Sequence, residues 1–537
     1  MNVGGKKFES NEAQGLGTQT QKINDFPVEI LDKIFDGVCL SGVYSLWVSE
    51  QGNTISAPAV VLSQVCHLWR SILHRRPRLW SSLAIEVNGL RKDISSLLEL
   101  YLRKSTGHPL TMMIREWRPK ADNMDNMEDH LGRNGDGVFR KLSKEWSRCR
   151  ILKLMLFSPK LLTEDYFGTL PDSTFPALTS LHTNFMELRS DNRWFWNSIR
   201  FAPNLTDVRS YGIWSHDALP YQQLTSLEVS GTIDQSSFHY LLSNCKQLRS
   251  FSGRTRQHEA PLANGTSSMP VVSKVMVYPN LQSLILQNGG SIDMFYDLLT
   301  SITFPSLVTL KLDFSTFGVK EVWNHMPLLA MLQRSACPLR ELSLRFFSPP
   351  RPDSIAEVLR FSQRLTSLEV LVERRDCVLE KDTLTSKLLS GLSITSSDAV
   401  EVQSQVLCPR LKHLEIRELS RSSLISAELA LTCIEFANSR SKPSLVNSGI
   451  RESVASLSTL ILSPHVGKSR RICRGKESEP VPERGPIVKA ILEKLEEDGT
   501  ECTLDWIYDE NYGEDQNGSE QKGAILEGLD DDRLGID

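Results

Sequence analysis

The sequence predicts an α/β repeat standing behind a short N-terminal helical cluster. A phrase of the form P-x-L-x-x-L-x-L returns again and again from residue 150 onward. Many of its copies stand about one strand plus one helix apart. Upstream, Asp25 to Phe35 and Pro58 to Leu73 carry apolar residues at helical spacing instead.

Bulk properties narrow the class before any motif is read. The chain has 537 residues, 40% hydrophobic and 23% charged, the proportions of an ordinary folded protein. Its net charge of -4 argues against a general polyanion binder, so nucleic acid is not an expected partner. Residues 1–22 are polar and lack the apolar core of a signal peptide, and disorder is expected there. A run of about 18 apolar residues is also missing, so no membrane span is expected. Ten cysteines without close pairing suit a reducing compartment, cytoplasmic, nuclear or both. The sequons at Asn204, Asn264 and Asn517 then meet no glycosylation machinery.

The first element reads D-F-P-V-E-I-L-D-K-I-F over residues 25–35. Asp25 suits an N-cap and Pro27 the first turn, where a missing N–H costs nothing. Glu29 sits near the positive end of the helix dipole. Ile30, Leu31, Ile34 and Phe35 share one side. A second helix is predicted from about Pro58 to Leu73, with Leu62, Val65, Cys66, Trp69, Ile72 and Leu73 at helical spacing. Gly37, Gly42, Gly52 and Asn53 mark a loose connection between the two. Two short helices this apolar cannot bury everything against each other; either the rest of the chain covers the surplus or a partner does.

Three ordered blocks, F-P-V-E-I-L-x-x-I-F, L-S-Q-V-C-H-x-W-R and R-P-R-L-W-S-S-L, resemble the F-box, particularly its form in large fungal families. The resemblance covers about residues 24–85. It implies docking on a Skp-type adaptor that bridges to a cullin RING ubiquitin ligase. It would assign the adaptor contact to Phe26, Pro27, Ile30, Leu31, Ile34, Phe35, Leu62, Val65 and Trp69. The pattern departs from the compact family form over residues 36–58, where a middle helix is stretched or interrupted.

The phrases run FPALTSL (175–181), APNLTDV (202–208), YPNLQSLIL (278–286), FPSLVTLKL (304–312), CPLRELSL (337–344), RLTSLEV (364–370), CPRLKHLEI (408–416) and SLSTLIL (456–462). Weaker copies are RILKLML (150–156), QLTSLEV (223–229) and QLRSFSG (247–253). The closing L-x-L alternates as a short strand should. Helical spacing fills the gaps, as at Phe238, Leu241, Leu242 and Cys245, or Phe139, Leu142, Trp146 and Cys149. The widest gaps, 365 to 411 and 411 to 457, are expected to hold insertions, including the Ser/Thr-rich stretch 383–397. This pattern looks like the degenerate leucine-rich repeats found behind many F-boxes, but lacks their regular Asn or Cys beyond the strand. The resemblance implies an irregular leucine-rich repeat solenoid over 86–510, clearest over 150–465. Ile487 to Glu497 reads as a helix, and Cys502, Leu504 and Trp506 as a closing strand. From Glu496 to Asp537, 15 acidic residues face 2 basic ones, and residues 511–537 are expected to be disordered.

Catalytic and metal signatures are sparse. Cys149, Cys245, Cys337 and Cys408 stand just before a phrase's first apolar residue, where they read as small buried hydrophobes. No C-x-x-C, H-E-x-x-H, phosphate-binding loop or G-x-S-x-G occurs; no metal, cofactor or enzymatic activity is expected. His67 reads as a packing or surface residue. Lys468 to Lys476 is a basic run, either a solvated loop or a nuclear import signal. Trp194, Trp196, Tyr211 and Trp214 are either core or a target-binding cluster.

Two functional expectations follow. In the first the chain is the substrate receptor of a Skp–cullin–F-box ligase, its adaptor on the helices and an unknown target protein on the repeats. The other is an interaction scaffold whose N-terminal helices only cap the solenoid.

Overall fold

A computed structural model describes residues 26–40, 44–49, 54–88, 90–116, 131–156, 175–184, 193–212, 219–255, 275–289, 292–315, 323–373, 384–393, 407–419, 432, 435–436, 458–464 and 501–503. The chain is an α/β fold built on a long, mostly parallel sheet, with eleven helices among the described residues. It divides into two compact units, Met1–Gly231 with Asn244–Leu248, and Thr232–Ser243 with Arg249–Asp537. The expectations for residues 1–22, Asp25, Trp214, 468–476, 487–497 and 511–537 lie outside the described residues.

The first unit opens with helix α1 (Val28–Leu40), strands β1 (Leu46–Ser49) and β2 (Thr54–Ser56), and helices α2 (Pro58–Ser63) and α3 (His67–His74). It continues as β3 (Ser82–Glu86), α4 (Ser95–Lys104), β4 (Leu110–Arg115), α5 (Gly132–Ser143), β5 (Cys149–Met155), β6 (Ser180–Thr183), α6 (Arg193–Arg200), β7 (Asp207–Ser210) and β8 (Ser226–Ile233). Its strands lie in the order β8-β7-β6-β5-β4-β3-β1-β2, parallel except for the β1–β2 hairpin. Leu83, Met112, Leu152, Leu181, Val208 and Leu227 fall in one buried row across the strands. Ile85, Ile114 and Leu154 form the next. Burying each such side chain contributes about 1.5–3 kcal/mol.

The second unit contains α7 (Gln235–Asn244), β9 (Ser250–Thr255), β10 (Met276–Val277), β11 (Ser283–Asn288), α8 (Ile292–Ser301), β12 (Ile302–Thr303) and β13 (Thr309–Phe314). It goes on with α9 (Met326–Ser335), β14 (Glu341–Phe346), α10 (Pro352–Arg360), β15 (Ser367–Glu373), α11 (Leu384–Leu392), β16 (His413–Leu419), β17 (Thr459–Pro464) and β18 (Glu501–Thr503). Parallel strands run β18-β17-β16-β15-β14-β13-β11-β9, while β10 and β12 pair separately. Phe251, Leu284, Leu310, Leu342, Leu368, Leu414 and Leu460 share a row. Each of the eleven phrases thus delivers its closing alternation into a strand. Cys502 pairs with Leu460, so a strand forms at Cys502 as expected, while Leu504 and Trp506 lie outside the described residues.

Beyond the L-x-L, the inward position is not uniform. Thr255 and Asn288 are buried polar residues there, whereas Phe314, Phe346 and Val372 are apolar. Phe314 and Phe346 stack with centroids 5.4 Å apart. A polar ladder along this row is therefore interrupted by aromatic packing, which is why the repeat signature reads as only partly met.

Three expectations change. The helix predicted over 58–73 is two, because the chain turns at Cys66, whose Sγ accepts the Trp69 N–H at 3.5 Å and caps α3. Among the described residues of the stretch 36–58, α1 runs to Leu40 and is followed by the antiparallel pair β1–β2, with no middle helix. The Ser/Thr-rich stretch 383–397 carries helix α11, with Leu384, Leu388, Leu389 and Leu392 buried. Parallel strands also precede residue 150, at β3 and β4.

Candidate functional site

The N-terminal helices carry two apolar stripes side by side. On α1 the first is Leu31, Phe35 and Cys39, all buried. Phe35 meets Trp69 of α3 edge-on, centroids 4.9 Å apart. Below them a short turn at Pro77–Trp80 touches α1, α3, α4 and β3. The second stripe, Ile30, Ile34 and Val38, recurs at every fourth residue and is exposed. Val28 on α1, Val61 on α2, Val65 in the turn and Leu68 on α3 are exposed as well, and the three helices pack on one another. Asp32 and Asp36 pair with Arg76 and Arg78, fixing the flank of α1 to the following turn. Such solvent-facing pairs contribute little stability, at most about 1 kcal/mol each.

The nine residues assigned to adaptor contact divide accordingly. Ile30, Ile34 and Val65 stand 40%, 37% and 57% exposed, and Pro27 is also exposed. Phe26 and Leu62 are half-buried. Leu31, Phe35 and Trp69 are core, available to a partner only through the residues they support. Sequence reasoning missed Val28, Val38, Val61 and Leu68. The signal was present, since Val38 continues the Ile30–Ile34 spacing and Val61 stands four before Val65. Helical period alone does not say which of two adjacent stripes faces inward.

A second set of polar residues lies on the outward face of the first unit's sheet. Ser180 donates to Asp207 Oδ2 at 2.7 Å, and His182 Nε2 stands 3.5 Å from the same oxygen. Partial burial pushes the Asp207 carboxyl up, but hydrogen bonds from His182, Ser180 and Ser226 outweigh it and hold it at about 2. The trio resembles a nucleophile–base–acid set in composition only. Ser180 Oγ and Asp207 both face Nε2, and Ser180 donates straight to the carboxylate, so no ring nitrogen relays between them. Because the folded state binds this proton more weakly than the unfolded chain, the stabilisation is full above about pH 4. It is lost as pH falls toward 2. Asp207→Asn is accordingly expected to flatten the acid limb of a stability–pH curve followed by denaturant unfolding, and an unchanged limb would contradict the assignment.

The phrase cysteines behave as packing residues. Cys149, Cys245 and Cys408 are buried and Cys337 partly so, all as free thiols. Burial pushes the Cys149 and Cys245 thiols up to about 12, far from a reactive thiolate. His67 is exposed at the start of α3. Trp196 is core at 2% exposure, Trp194 half-buried, and Tyr211 43% exposed. Among the described residues no helix is long and apolar enough to cross a membrane. No protein-family model matches the chain, and no curated protein matches it either.

Proposed function

We propose that the chain is the substrate receptor of a Skp–cullin–F-box ubiquitin ligase, an irregular leucine-rich repeat solenoid behind an F-box. Its docking helices take the adaptor and its sheet face takes a target protein. The observation that carries this reading is the exposed stripe Ile30, Ile34 and Val38 with Val61, Val65 and Leu68 beside it. A cluster that only capped the repeats would need the inward stripe, Leu31, Phe35 and Cys39, and would gain nothing from a second apolar one. Exposed apolar residues gathered on one element mark interaction surfaces. The receptor performs no bond chemistry; it raises the concentration of target lysines near the ubiquitin carrier. Localisation in the cytoplasm, the nucleus or both follows from that role.

The test is capture of a Skp-type adaptor by the full chain and by Ile34→Asp plus Val65→Asp. Neither side chain is core, so unfolding behaviour should be unchanged. Two lost apolar contacts of about 1.5–3 kcal/mol each, with charges forced into the interface, should weaken capture on the order of a hundredfold or more. Equal capture by the double variant, or none by the natural chain, sinks the docking assignment and leaves the capping scaffold.

A further inference from the structure

We propose that the outward face of the first unit's sheet, at Tyr44, Trp47, Met113 and Lys153, recognises an acidic segment of a partner protein, seating a carboxylate with an aliphatic residue beside it. This surface is separate from the docking helices; it rests on the proposed reading that the sheet face takes a target protein, but not on ligase recruitment.

Strand register brings the residues together. Trp47 of β1, Ala84 of β3, Met113 of β4 and Lys153 of β5 fall in one row, with Ala84 buried between its larger neighbours. Tyr44 enters just before β1, its ring 6.1 Å from that of Trp47. Lys153 Nζ lies over the same ring, 5.8 Å from its centroid. The attraction of an ammonium for an aromatic face keeps the cation down on the sheet. Trp47 and Met113 are half-buried and give the apolar floor.

Two donors here lack a strong acceptor. The Tyr44 hydroxyl, on a residue only 9% exposed, donates to the thioether sulfur of Met113 at 3.3 Å. Thioether sulfur is a weak acceptor. Lys153 has no carboxylate partner among the described residues. Its neighbours on this face are already matched: Arg115 stands 3.8 Å from Glu86, His182 3.5 Å from Asp207 and Arg209 3.5 Å from Glu228. On this face Lys153 therefore stands as a cation without a carboxylate partner among the described residues, beside a poorly satisfied hydroxyl, on a Trp and Met floor. A carboxylate satisfies both donors with charge-assisted hydrogen bonds. The floor makes a free anion a poor match, because Trp47 and Met113 would meet only water. A side chain carried by an extended peptide, with Leu or Ile beside it, uses both parts.

Fluorescence anisotropy on the full chain tests this with a soluble labelled peptide alternating Asp and Leu. Peptides alternating Asp with Ser and Lys with Leu serve as controls. The Asp–Leu peptide should bind, and the Asp–Ser peptide about tenfold more weakly. Lys153→Glu should cost about tenfold or more, and Tyr44→Phe, which keeps the ring, a smaller loss of about fivefold. Circular dichroism establishes that both variants remain folded. No binding, equal binding of all three peptides, or binding unmoved by Lys153→Glu overturns the proposal. Displacement by millimolar acetate alone also overturns it, reassigning the site to small carboxylates. Adaptor capture by Lys153→Glu should match that of the natural chain, so failure here is distinguishable from failure of the docking reading.

Discussion

Trp80→Ala is expected to lower the unfolding free energy of the first unit by about 3–5 kcal/mol, the range for deleting a large buried aromatic. Trp80 is fully buried. Its Nε1 donates to the Leu73 carbonyl at 2.9 Å, closing α3 onto the turn at 77–80. Its ring meets Tyr101 edge-on at 5.0 Å, and the Tyr101 hydroxyl donates to the Ser45 carbonyl at 2.9 Å. Ser45 in turn donates from its N–H and its Oγ to the Ser82 carbonyl, at 2.8 and 2.7 Å. One side chain thus joins α3, α4 and the entry to the hairpin. Its loss leaves a cavity and removes one of the two hydrogen bonds that the Leu73 carbonyl accepts, the other coming from the Arg76 N–H. Urea unfolding followed by circular dichroism measures the effect, and a change below about 1 kcal/mol would show that these elements are not held as one cooperative body. Trp80→Phe should fall between, since it restores most of the volume but not the hydrogen bond.

Gly135→Ala and Gly137→Ala are expected to move stability in opposite directions although they lie two residues apart in α5. Alanine is favoured over glycine inside a helix by about 1 kcal/mol. At Gly137 a Cβ would meet nothing within 4 Å, so that preference should appear as a gain of up to about 1 kcal/mol. At Gly135 a Cβ would fall on the backbone carbonyl oxygen of Val87, which lies just beyond β3. Backbone cannot swing aside as a flexible side chain can, so helix and strand must separate. The cost should exceed the propensity gain and leave a net loss of about 2–3 kcal/mol. Parallel urea titrations of the two variants decide it; a stabilising Gly135→Ala would mean that α5 stands further from β3 than the structure has it.

The parts legible from sequence were those set by local period. The strands of the eleven phrases could be read because Leu and its substitutes keep their place in every copy. Strands β3 and β4 were hidden by small departures. From Pro77 the spacing to Leu83 and Ile85 is one residue longer than in the phrases, taken up by the turn at 77–80. In β4 the inward row is filled by Met112 and Ile114, and methionine packs as leucine would without looking like it in a pattern. The break between α2 and α3 was invisible because a cysteine thiol, not Ser, Thr, Asp or Asn, does the capping. Residues 46–56 read only as a loose connection marked by Gly52 and Asn53, because two strands this short carry little alternation to read. As for the candidate site, the nine residues named from sequence divide between exposed, half-buried and core positions. Ile34 and Phe35 are adjacent in the chain and equally apolar, yet one faces solvent and the other Trp69. Only tertiary packing separates them.

Because β1 is hydrogen-bonded to β3 in the same sheet as β4 and β5, the proposed docking on α1–α3 would engage helices joined to the first unit's sheet. Mass action then turns occupancy into protection. A ligand at a hundred times its dissociation constant adds about 2.7 kcal/mol to the stability of what it binds. That lowers the population of opened chains about a hundredfold, and proteases act on the opened population. On the proposed docking, a chain with its helices filled should therefore outlive an empty one, and its abundance should follow the supply of the adaptor.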